Sequence, residues 1–307
     1  MNIKKPKFWD NKRPNIYAYL LLPLALILKI INFIKQKSPK KNKIKIICVG
    51  NIYIGGTGKT SLSIKINEIL NKKKIRSCFI KKNYKNQIDE QKILENRGKL
   101  FLSSKRIDAI NQAERENYEV AILDDGLQDY SFIKDISFVC FNNINWIGNG
   151  LTIPAGPLRE SINNLKKYHH VFFNGNLENL ENLKREIYEI NPQIDIHVGK
   201  YKPINLQEFD KKLKYLAFSG IGNHKTFISM LKEYEFNVRK DIEFPDHYNY
   251  SANDINQILE EAVNLDCKII TTEKDFLRLD NNKRYDIKFI KSNLEIIDEE
   301  KLINTII

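Results

Sequence analysis

The sequence contains few of the residues that mark disulfide-rich, zinc-binding or nucleic-acid-binding proteins. Its 307 residues include four cysteines, which lie far apart and form no Cys-x-x-Cys pair. Cys48 and Cys140 fall inside apolar runs typical of strands, so we expect buried free thiols in a reducing compartment. No zinc-finger or RNP-type motif accompanies the basic residues, which argues against nucleic acid as a partner.

Acidic residues are too few to balance the basic ones. The chain has 50 lysines and arginines against 38 aspartates and glutamates, which gives a formal charge of +12. This excess suits an anionic membrane surface or a phosphorylated substrate. With 42% apolar residues the chain can bury a core, and its length allows one large domain or two modest ones.

A continuous apolar run of membrane-spanning length is also missing. Residues 16–28 are apolar apart from tyrosines, but the run reaches the roughly 20 residues of a spanning helix only by including Lys29 and Asn32. The basic residues that follow are the wrong chemistry for a signal-peptide cleavage site. Because basic clusters flank the run, we expect residues 1–40 to be a membrane-associated segment with a shallow helix among anionic headgroups. A helix that crosses the bilayer over residues 15–34 and an ordinary buried helix are the alternatives.

Short β-branched runs alternate with helix-like stretches along the rest of the chain. The predicted strands are residues 44–49, 75–80, 120–123, 136–141, 171–174, 215–219, 236–241, 268–272 and 287–290. The predicted helices are residues 60–71, 107–116, 225–233, 253–265 and 298–307. Such alternation is typical of parallel sheets covered on both faces, so we predict an α/β fold. Around residues 196–206 the pattern loosens.

A glycine-rich turn lies between the first predicted strand and the first predicted helix. It consists of Gly55, Gly56, Thr57, Gly58, Lys59 and Thr60. In such a turn several backbone N–H groups point at phosphates, at the positive end of a helix. Lys59 would reach the β- and γ-phosphates of ATP, and the Thr60 hydroxyl would bind Mg²⁺. The strict pattern has a further glycine where this chain has Tyr53, and Ser61 receives no role.

The glycine-rich turn indicates the type of the first domain, and the loosened pattern around residues 196–206 indicates where that domain ends. A P-loop NTPase-like α/β/α kinase domain is expected over residues 41–200, and a second, smaller α/β/α domain over residues 201–292. Residues 293–307 are expected to form a C-terminal helix that packs back on the kinase domain.

A second nucleotide-binding element follows the predicted strand at 120–123. This strand ends in Asp124 and Asp125, which reach the sheet edge where the phosphate-binding turn also lies. One carboxylate can hold Mg²⁺, and the other can coordinate it or orient its water. Two P-loop classes are disfavoured, since the guanine-reading Asn-Lys-x-Asp motif is absent and Ile54 replaces the lysine typical of MinD-like ATPases.

Several further motifs together resemble the tetraacyldisaccharide 4′-kinase family of lipid A biosynthesis. They are Phe8-Trp9, Leu22 to Leu24, Gly50-Asn51, Asp124 to Gln128, Gly148 to Gly150, Pro154 to Glu160, Gly220 to Asn223, Asp246-His247 and Thr271 to Asp275. The resemblance implies an enzyme that transfers the γ-phosphate of ATP to the 4′-hydroxyl of a tetraacylated glucosamine disaccharide 1-phosphate. It also implies two α/β/α units with the site in their cleft, and a place on the cytoplasmic face of the bacterial inner membrane. We expect a monomer.

The acceptor side of such a site needs a base, because a sugar hydroxyl is a poor nucleophile. The resemblance implies Asp89, which precedes Glu90, as this base and His247 as its partner, brought to it by closure of the cleft. It also implies Arg159 as a cation that faces phosphate. The predicted catalytic residues are thus Asp89, His247 and Lys59, and the predicted metal-binding residues are Thr60, Asp124, Asp125 and Glu160.

Departures from the family pattern cluster in the loop at residues 81–91. The usual Ser-Arg-Gly-Tyr is Lys81-Lys82-Asn83-Tyr84 in this chain. Lys82 keeps the charge of arginine but loses its bidentate fork. A different acceptor or a lower activity would follow from these changes. A membrane-associated P-loop ATPase and a degenerate nucleotide-binding homologue are therefore the alternative functions.

Overall fold

Two mainly parallel sheets carry the fold. The structure, a computed structural model, describes residues 5–34, 38–84, 87–144, 146–280, 284 and 286–307. Parts of two predicted features lie outside the described residues, namely the basic flanks at residues 1–4 and 35–37 and the loop positions 85–86. The α/β fold class predicted from the sequence is confirmed.

Strands and helices alternate along most of the chain. The strands are β1 (Lys45–Gly50), β2 (Ser77–Lys82), β3 (Leu100–Ser103), β4 (Val120–Asp124), β5 (Ile136–Asn142), β6 (His170–Asn174), β7 (Asp195–Pro203), β8 (Lys214–Ser219), β9 (Asn237–Glu243), β10 (Lys268–Thr272), β11 (Ile287–Ile290) and β12 (Ser292–Ile296). The α-helices are α1 (Ile16–Ile34), α2 (Lys59–Lys72), α3 (Ile88–Glu95), α4 (Arg106–Arg115), α5 (Leu180–Ile190), α6 (His224–Glu233), α7 (Ala252–Asn264), α8 (Glu273–Arg278) and α9 (Glu299–Ile306). Short 3₁₀ helices cover Lys7–Asp10, Ile162–Lys167 and Leu206–Glu208.

The strand order brings the chemically important loops together. The larger sheet has eight strands in the order β12-β7-β6-β5-β1-β4-β2-β3, and the smaller has four in the order β11-β10-β8-β9. Strand β1 lies between β4 and β5 and runs parallel to both, whereas the edge strand β12 is antiparallel to β7. Because parallel strands end at the same edge, the loops that follow β1, β2 and β4 meet there.

Burial on both faces of the larger sheet explains the apolar strand sequences. In β1 the side chains of Ile46 and Cys48 belong to the core on one face, and those of Ile47 and Val49 to the core on the other. Successive side chains of a strand point to opposite faces, so a strand covered by helices on both sides is apolar throughout.

The stretch around residues 196–206 is where the sequence-based assignment is wrong. Asp195–Pro203 forms β7, which pairs with β6 and β12 in the larger sheet. Its pattern was hidden because Lys200 is half-buried and Lys202 is exposed, so polar residues interrupt the apolar ones. The pattern also misses β3, α3, α5, α8 and β12. The chain passes from the larger sheet to the smaller one after β7 and returns to the larger sheet before β12. The predicted domain limits 41–200, 201–292 and 293–307 stay a proposal.

Helix α1 leaves most of its apolar surface uncovered. Ala18 and Ala25 are buried, whereas ten large apolar residues of the same helix are exposed. Leu20, Leu24 and Ile27 are 71%, 48% and 53% exposed and follow the spacing of a single helix face. The alternative of an ordinary buried helix is therefore wrong. Within the described residues, no helix combines the length and apolarity needed to cross a membrane.

The C-terminal helix α9 offers a test of the core. Leu302 is fully buried in the cluster that also holds Leu294 and Ile306. Leu302→Ala should lower the free energy of unfolding by about 2–5 kcal/mol, because it leaves a cavity. Urea unfolding followed by circular dichroism measures this change. Ile307→Ala, at a position that is 54% exposed, should stay within about 0.5 kcal/mol of wild type; equal stability of the two variants would contradict the packing.

Candidate active site

The glycine-rich turn connects β1 to the N-terminus of α2. Gly58 precedes the helix with a left-handed φ of 76°, and a Cβ there would lie 2.3 Å from Nδ2 of Asn174. That amide nitrogen donates to the Thr57 carbonyl at 2.6 Å, so the end of β6 is hydrogen-bonded to the turn. Only glycine fits this position, since both the φ and the close contact exclude a side chain. Backbone N–H groups at the start of α2 are thereby available to phosphate.

The N-terminal segment packs against the outside of the same turn. The Tyr53 hydroxyl donates to Asp10 Oδ1 at 3.0 Å. The Trp9 indole N–H donates to the Pro154 carbonyl at 3.1 Å, and the Trp9 carbonyl accepts from the Asn149 N–H at 2.9 Å. Tyr53, which replaces the first glycine of the strict pattern, is therefore used for contact with the segment that leads into α1.

The acidic end of β4 lies beside the turn. The Thr60 hydroxyl is 3.3 Å from Asp124 Oδ2. Asp125 Oδ1 accepts from Arg159 at 2.7 Å and lies 3.9 Å from Lys59 Nζ. Burial alone would raise the pKa of Asp125, but the nearby charges of Lys59 and Arg159 lower it below its usual value. Asp125 is thus an ionised carboxylate beside the lysine predicted to bind phosphate.

The second acidic group, Asp89 and Glu90, occupies the first turn of α3. Asp89 Oδ2 accepts from Arg278 at 2.5 Å and lies 3.4 Å from Nδ1 of His247. Burial opposes ionisation of Asp89, yet His247 and Arg278 hold its pKa well below the usual range. Burial likewise opposes the charged form of His247, but Asp89 and its acidic neighbours raise the pKa of the ring. The structure therefore brings the predicted base and its predicted partner within 3.4 Å of each other.

A cavity of about 640 Å³ connects the two acidic regions. Its lining includes the glycine-rich turn, Lys59, Thr60 and Asp125 on one side, and Glu90 and His247 on the other. The cavity is therefore shared by the larger sheet and by the loops of the smaller one. It is the place where a phosphate donor and an acceptor would meet.

Glycines bring the two units into direct contact at the turn. A Cβ on Gly222, in the loop after β8, would lie 2.1 Å from the Gly56 nitrogen. A Cβ on Gly56 would meet Gly222 backbone atoms at 2.9 and 3.0 Å. Both positions therefore require the absence of a side chain, and the smaller unit forms part of the wall around the phosphate-binding turn.

Two cations of the site escaped prediction. Lys274 and Arg278 lie one turn apart on α8, and both reach the acidic pair: Lys274 Nζ is 3.3 Å from Glu90 Oε1. The sequence gives no role to individual residues of the motif Thr271 to Asp275, which contains Lys274. Asp275 is fully buried and accepts from the Gly220 N–H at 3.0 Å, so it fixes the loop that contacts the turn. The sequence feature that could have indicated their shared role is the i, i+4 spacing of Lys274 and Arg278, which places them on one helix face.

Three of the predicted site residues, Glu160, Asp89 and Asp124, lie just outside the cavity lining, whereas Thr60, Asp125 and Arg159 line it. The Glu160 carboxylate accepts from Gln128, Asn164 and Tyr168 at 2.7–2.8 Å and so fixes the Gln128 side chain. The roles of Glu160 in metal binding and of Arg159 in phosphate binding stay predictions.

The remaining oxygen donors fit a nucleotide-bound magnesium ion. No group of three or more His, Cys, Asp or Glu side chains in the described part of the chain forms a complete metal cage. Magnesium bound with phosphates needs only one or two protein carboxylates and keeps several waters. Thr60, Asp124 and Asp125 supply that donor set at the end of the phosphate-binding turn.

Comparisons with known proteins agree with this geometry. A family model described as "Tetraacyldisaccharide-1-P 4'-kinase" matches residues 17–307. A tetraacyldisaccharide 4′-kinase from Pelagibacter ubique is 58% identical, over 100% of this chain and 98% of the relative. One from Rickettsia canadensis is 32% identical, over 97% and 93%. The fold resembles a crystal structure from Aquifex aeolicus, described as LpxK in complex with ATP, with a TM-score of 0.68 and 23% identity over 95% of this chain and 98% of that one.

The contact between glycines predicts a sensitive position. Gly222→Ala should weaken ATP binding at least ~10-fold, because the new methyl group overlaps the backbone of Gly56 and pushes the smaller unit off the turn. Isothermal titration calorimetry with ATP measures the affinity. Asn264→Ala, at an exposed position of α7, is the matched control and should bind as wild type does. Unchanged affinity in Gly222→Ala would show that the contact has no part in nucleotide binding.

Proposed function

Because the chain belongs to the tetraacyldisaccharide-1-P 4′-kinase family, we propose that it transfers the γ-phosphate of ATP to the 4′-hydroxyl of a tetraacylated disaccharide 1-phosphate in lipid A synthesis. The observation that carries the mechanism is the single cavity in which Lys59 and Asp125 face Glu90 and His247. The 58% identical relative carries the same activity in its name, and the structural neighbour was crystallised with ATP.

On the donor side, the turn would hold the phosphates by backbone N–H groups and Lys59. Thr60, Asp124 and Asp125 would hold Mg²⁺, which neutralises charge on the β- and γ-phosphates when bound. Arg159, tied to Asp125, would keep that carboxylate in place and face the transferred phosphoryl group. Glu160, which accepts from Gln128, Asn164 and Tyr168, is the fourth residue of the proposed metal-binding set.

On the acceptor side, Asp89 would take the proton of the 4′-hydroxyl as its oxygen attacks the γ-phosphorus and ADP leaves. His247 and Arg278 keep Asp89 ionised and fix its orientation. His247 and Arg278 both come from the smaller unit, whereas Asp89 belongs to the larger one. The base is therefore assembled only when the units approach each other.

The surface of α1 supports a place on a membrane. We propose that its exposed apolar face lies among lipid headgroups on the cytoplasmic side of the inner membrane, where the acylated acceptor resides. The excess of basic residues would add attraction to anionic lipids. The same proposal takes the enzyme as a monomer.

Transfer of label from γ-labelled ATP tests the function directly. The protein, Mg²⁺ and a tetraacyldisaccharide 1-phosphate in detergent micelles should yield a labelled bisphosphate lipid. Lys59→Ala should abolish this transfer, because holding the phosphates is most of the catalysis. Release of labelled phosphate without labelled lipid would instead support a membrane-associated ATPase. ATP binding without any turnover would support a degenerate homologue.

Removal of the proposed base separates chemistry from binding. Asp89→Asn should lower kcat at least ~10²-fold, the usual contribution of a general base, while the affinity for ATP changes little. Steady-state kinetics and calorimetry measure the two quantities. Glu95→Gln removes an exposed carboxylate of the same helix and should leave kcat unchanged. A kcat for Asp89→Asn within twofold of wild type would rule Asp89 out as the base.

Polar residues on the exposed face of α1 should weaken membrane binding. The triple variant Leu20→Ser, Leu24→Ser, Ile27→Ser should lower the bound fraction in flotation with anionic vesicles by ~10-fold or more, because it removes three exposed apolar side chains. Transfer to lipid in detergent should persist. Val263→Ser, at a 79% exposed apolar position on α7, is the control and should float as wild type does. Equal flotation of the triple variant would contradict the role of α1.

A further inference from the structure

The buried side chain of Lys81 has no part in the mechanism described so far. Lys81 lies near the end of β2, one residue beyond Ile80, which pairs with Leu123 of β4. The parallel register therefore carries the chain from Ile80 to Lys81 beside the strand end that bears Asp124. The lysine is 1% exposed and is among the largest fully buried side chains of the protein.

The ammonium of Lys81 connects the two acidic regions. Its Nζ lies 2.5 Å from Asp124 Oδ2 and 2.7 Å from Glu90 Oε2. Both contacts are salt bridges, so the buried ammonium has an anion on each of two sides. One cation thus joins the end of β4, next to the phosphate-binding turn, to the helix that carries Asp89.

The other cations of the site do not substitute for Lys81. Asp125 is paired with Arg159 and Lys59, and Asp89 with Arg278. Among the described residues, Lys81 is the cation that lies within 4.0 Å of Asp124. Without the charge of Lys81, Glu90 would keep Lys274 at 3.3 Å, whereas Asp124 would retain only hydroxyl partners, among them Thr60. A buried carboxylate left without a cation in this way would attract another one.

We propose that Lys81 is a positioning residue whose ammonium occupies the place of a second divalent cation, holding Asp124 of the donor side and Glu90 of the acceptor side at a fixed separation. The inference rests on the proposed function only in assigning these two sides to ATP and to the sugar. Oxygens of two carboxylates from different elements converge on the one ammonium at 2.5 and 2.7 Å, as charge-assisted hydrogen bonds.

A fixed cation at this point has a clear use in phosphoryl transfer. Many such enzymes place two metal ions at the reacting phosphate, and the second must be recruited from solution. The Lys81 ammonium is attached to the chain, so its charge is always present. The enzyme would then need only the one magnesium ion that arrives with ATP.

Metal binding to the nucleotide-free protein tests this proposal without an activity assay. The probe is Mn²⁺, and the signal of the free ion in electron paramagnetic resonance gives the bound fraction. Wild type should show no site at this point, whereas Lys81→Met should gain one Mn²⁺ site, at least ~10-fold tighter than any in wild type. Adding Glu90→Gln to Lys81→Met should remove the site again. Lys82→Met removes the neighbouring half-buried lysine, which lies over the Tyr84 ring, and should behave as wild type does.

Each outcome bears on the proposal. A folded Lys81→Met without a new site overturns it, as does a site that survives Glu90→Gln. If Lys81→Met unfolds, Mn²⁺ should restore its thermal unfolding transition, and Lys81→Gln should respond in the same way. Failure of Mn²⁺ to rescue either variant also overturns the proposal. Label transfer by wild type is measured separately, so loss of the proposed function and loss of this inference are distinguishable.

Discussion

Neutralisation of four buried or nearly buried carboxylates is the constraint on which the site depends. Asp124 ends the central strand β4 and Asp125 follows it, and Asp89 and Glu90 lie in the first turn of α3. A buried charge left without a partner costs several kcal/mol, so each acid needs a cation close by. The fold supplies these cations from both units. Those of the larger unit are Lys59, Lys81 and Arg159, and those of the smaller unit are Lys274 and Arg278.

This division of charge explains how the two units are held together. The acids of α3 belong to the larger unit, yet Lys274 and Arg278 of α8 pair with them. The contact of Gly56 with Gly222 lies nearby and allows the backbones to approach without side chains between them. Opposite charges and the absence of side chains thus favour the same closed arrangement. In the proposed mechanism, formation of the acceptor site and closure of the cleft would therefore occur together.

The sequence predicted those parts of the molecule that can be recognised from consecutive residues. The turn from Gly55 to Thr60 could be identified because strand, glycines and helix follow one another directly. The contact of Asp89 with His247 was anticipated only through the family resemblance. Asp89 and Arg278 are 189 positions apart in the sequence, so no pattern of neighbouring residues could predict their pairing. Strand β7 was missed because its lysines interrupt the apolar pattern. The partners of Glu160 were not predicted either, because only the fold brings Gln128, Asn164 and Tyr168 to it.

The contacts of the N-terminal segment have a consequence for diffusion on a surface. Trp9 and Asp10 are bonded to the walls of the phosphate-binding region, and α1 begins six residues later. A helix joined in this way to the body of the enzyme transmits its own tilt to the cleft. An enzyme held by a flexible tether would rotate freely and meet lipid headgroups in every orientation. Here the angle that α1 adopts at the membrane would set the direction in which the cleft opens, and so the fraction of encounters with a lipid that place its sugar within reach.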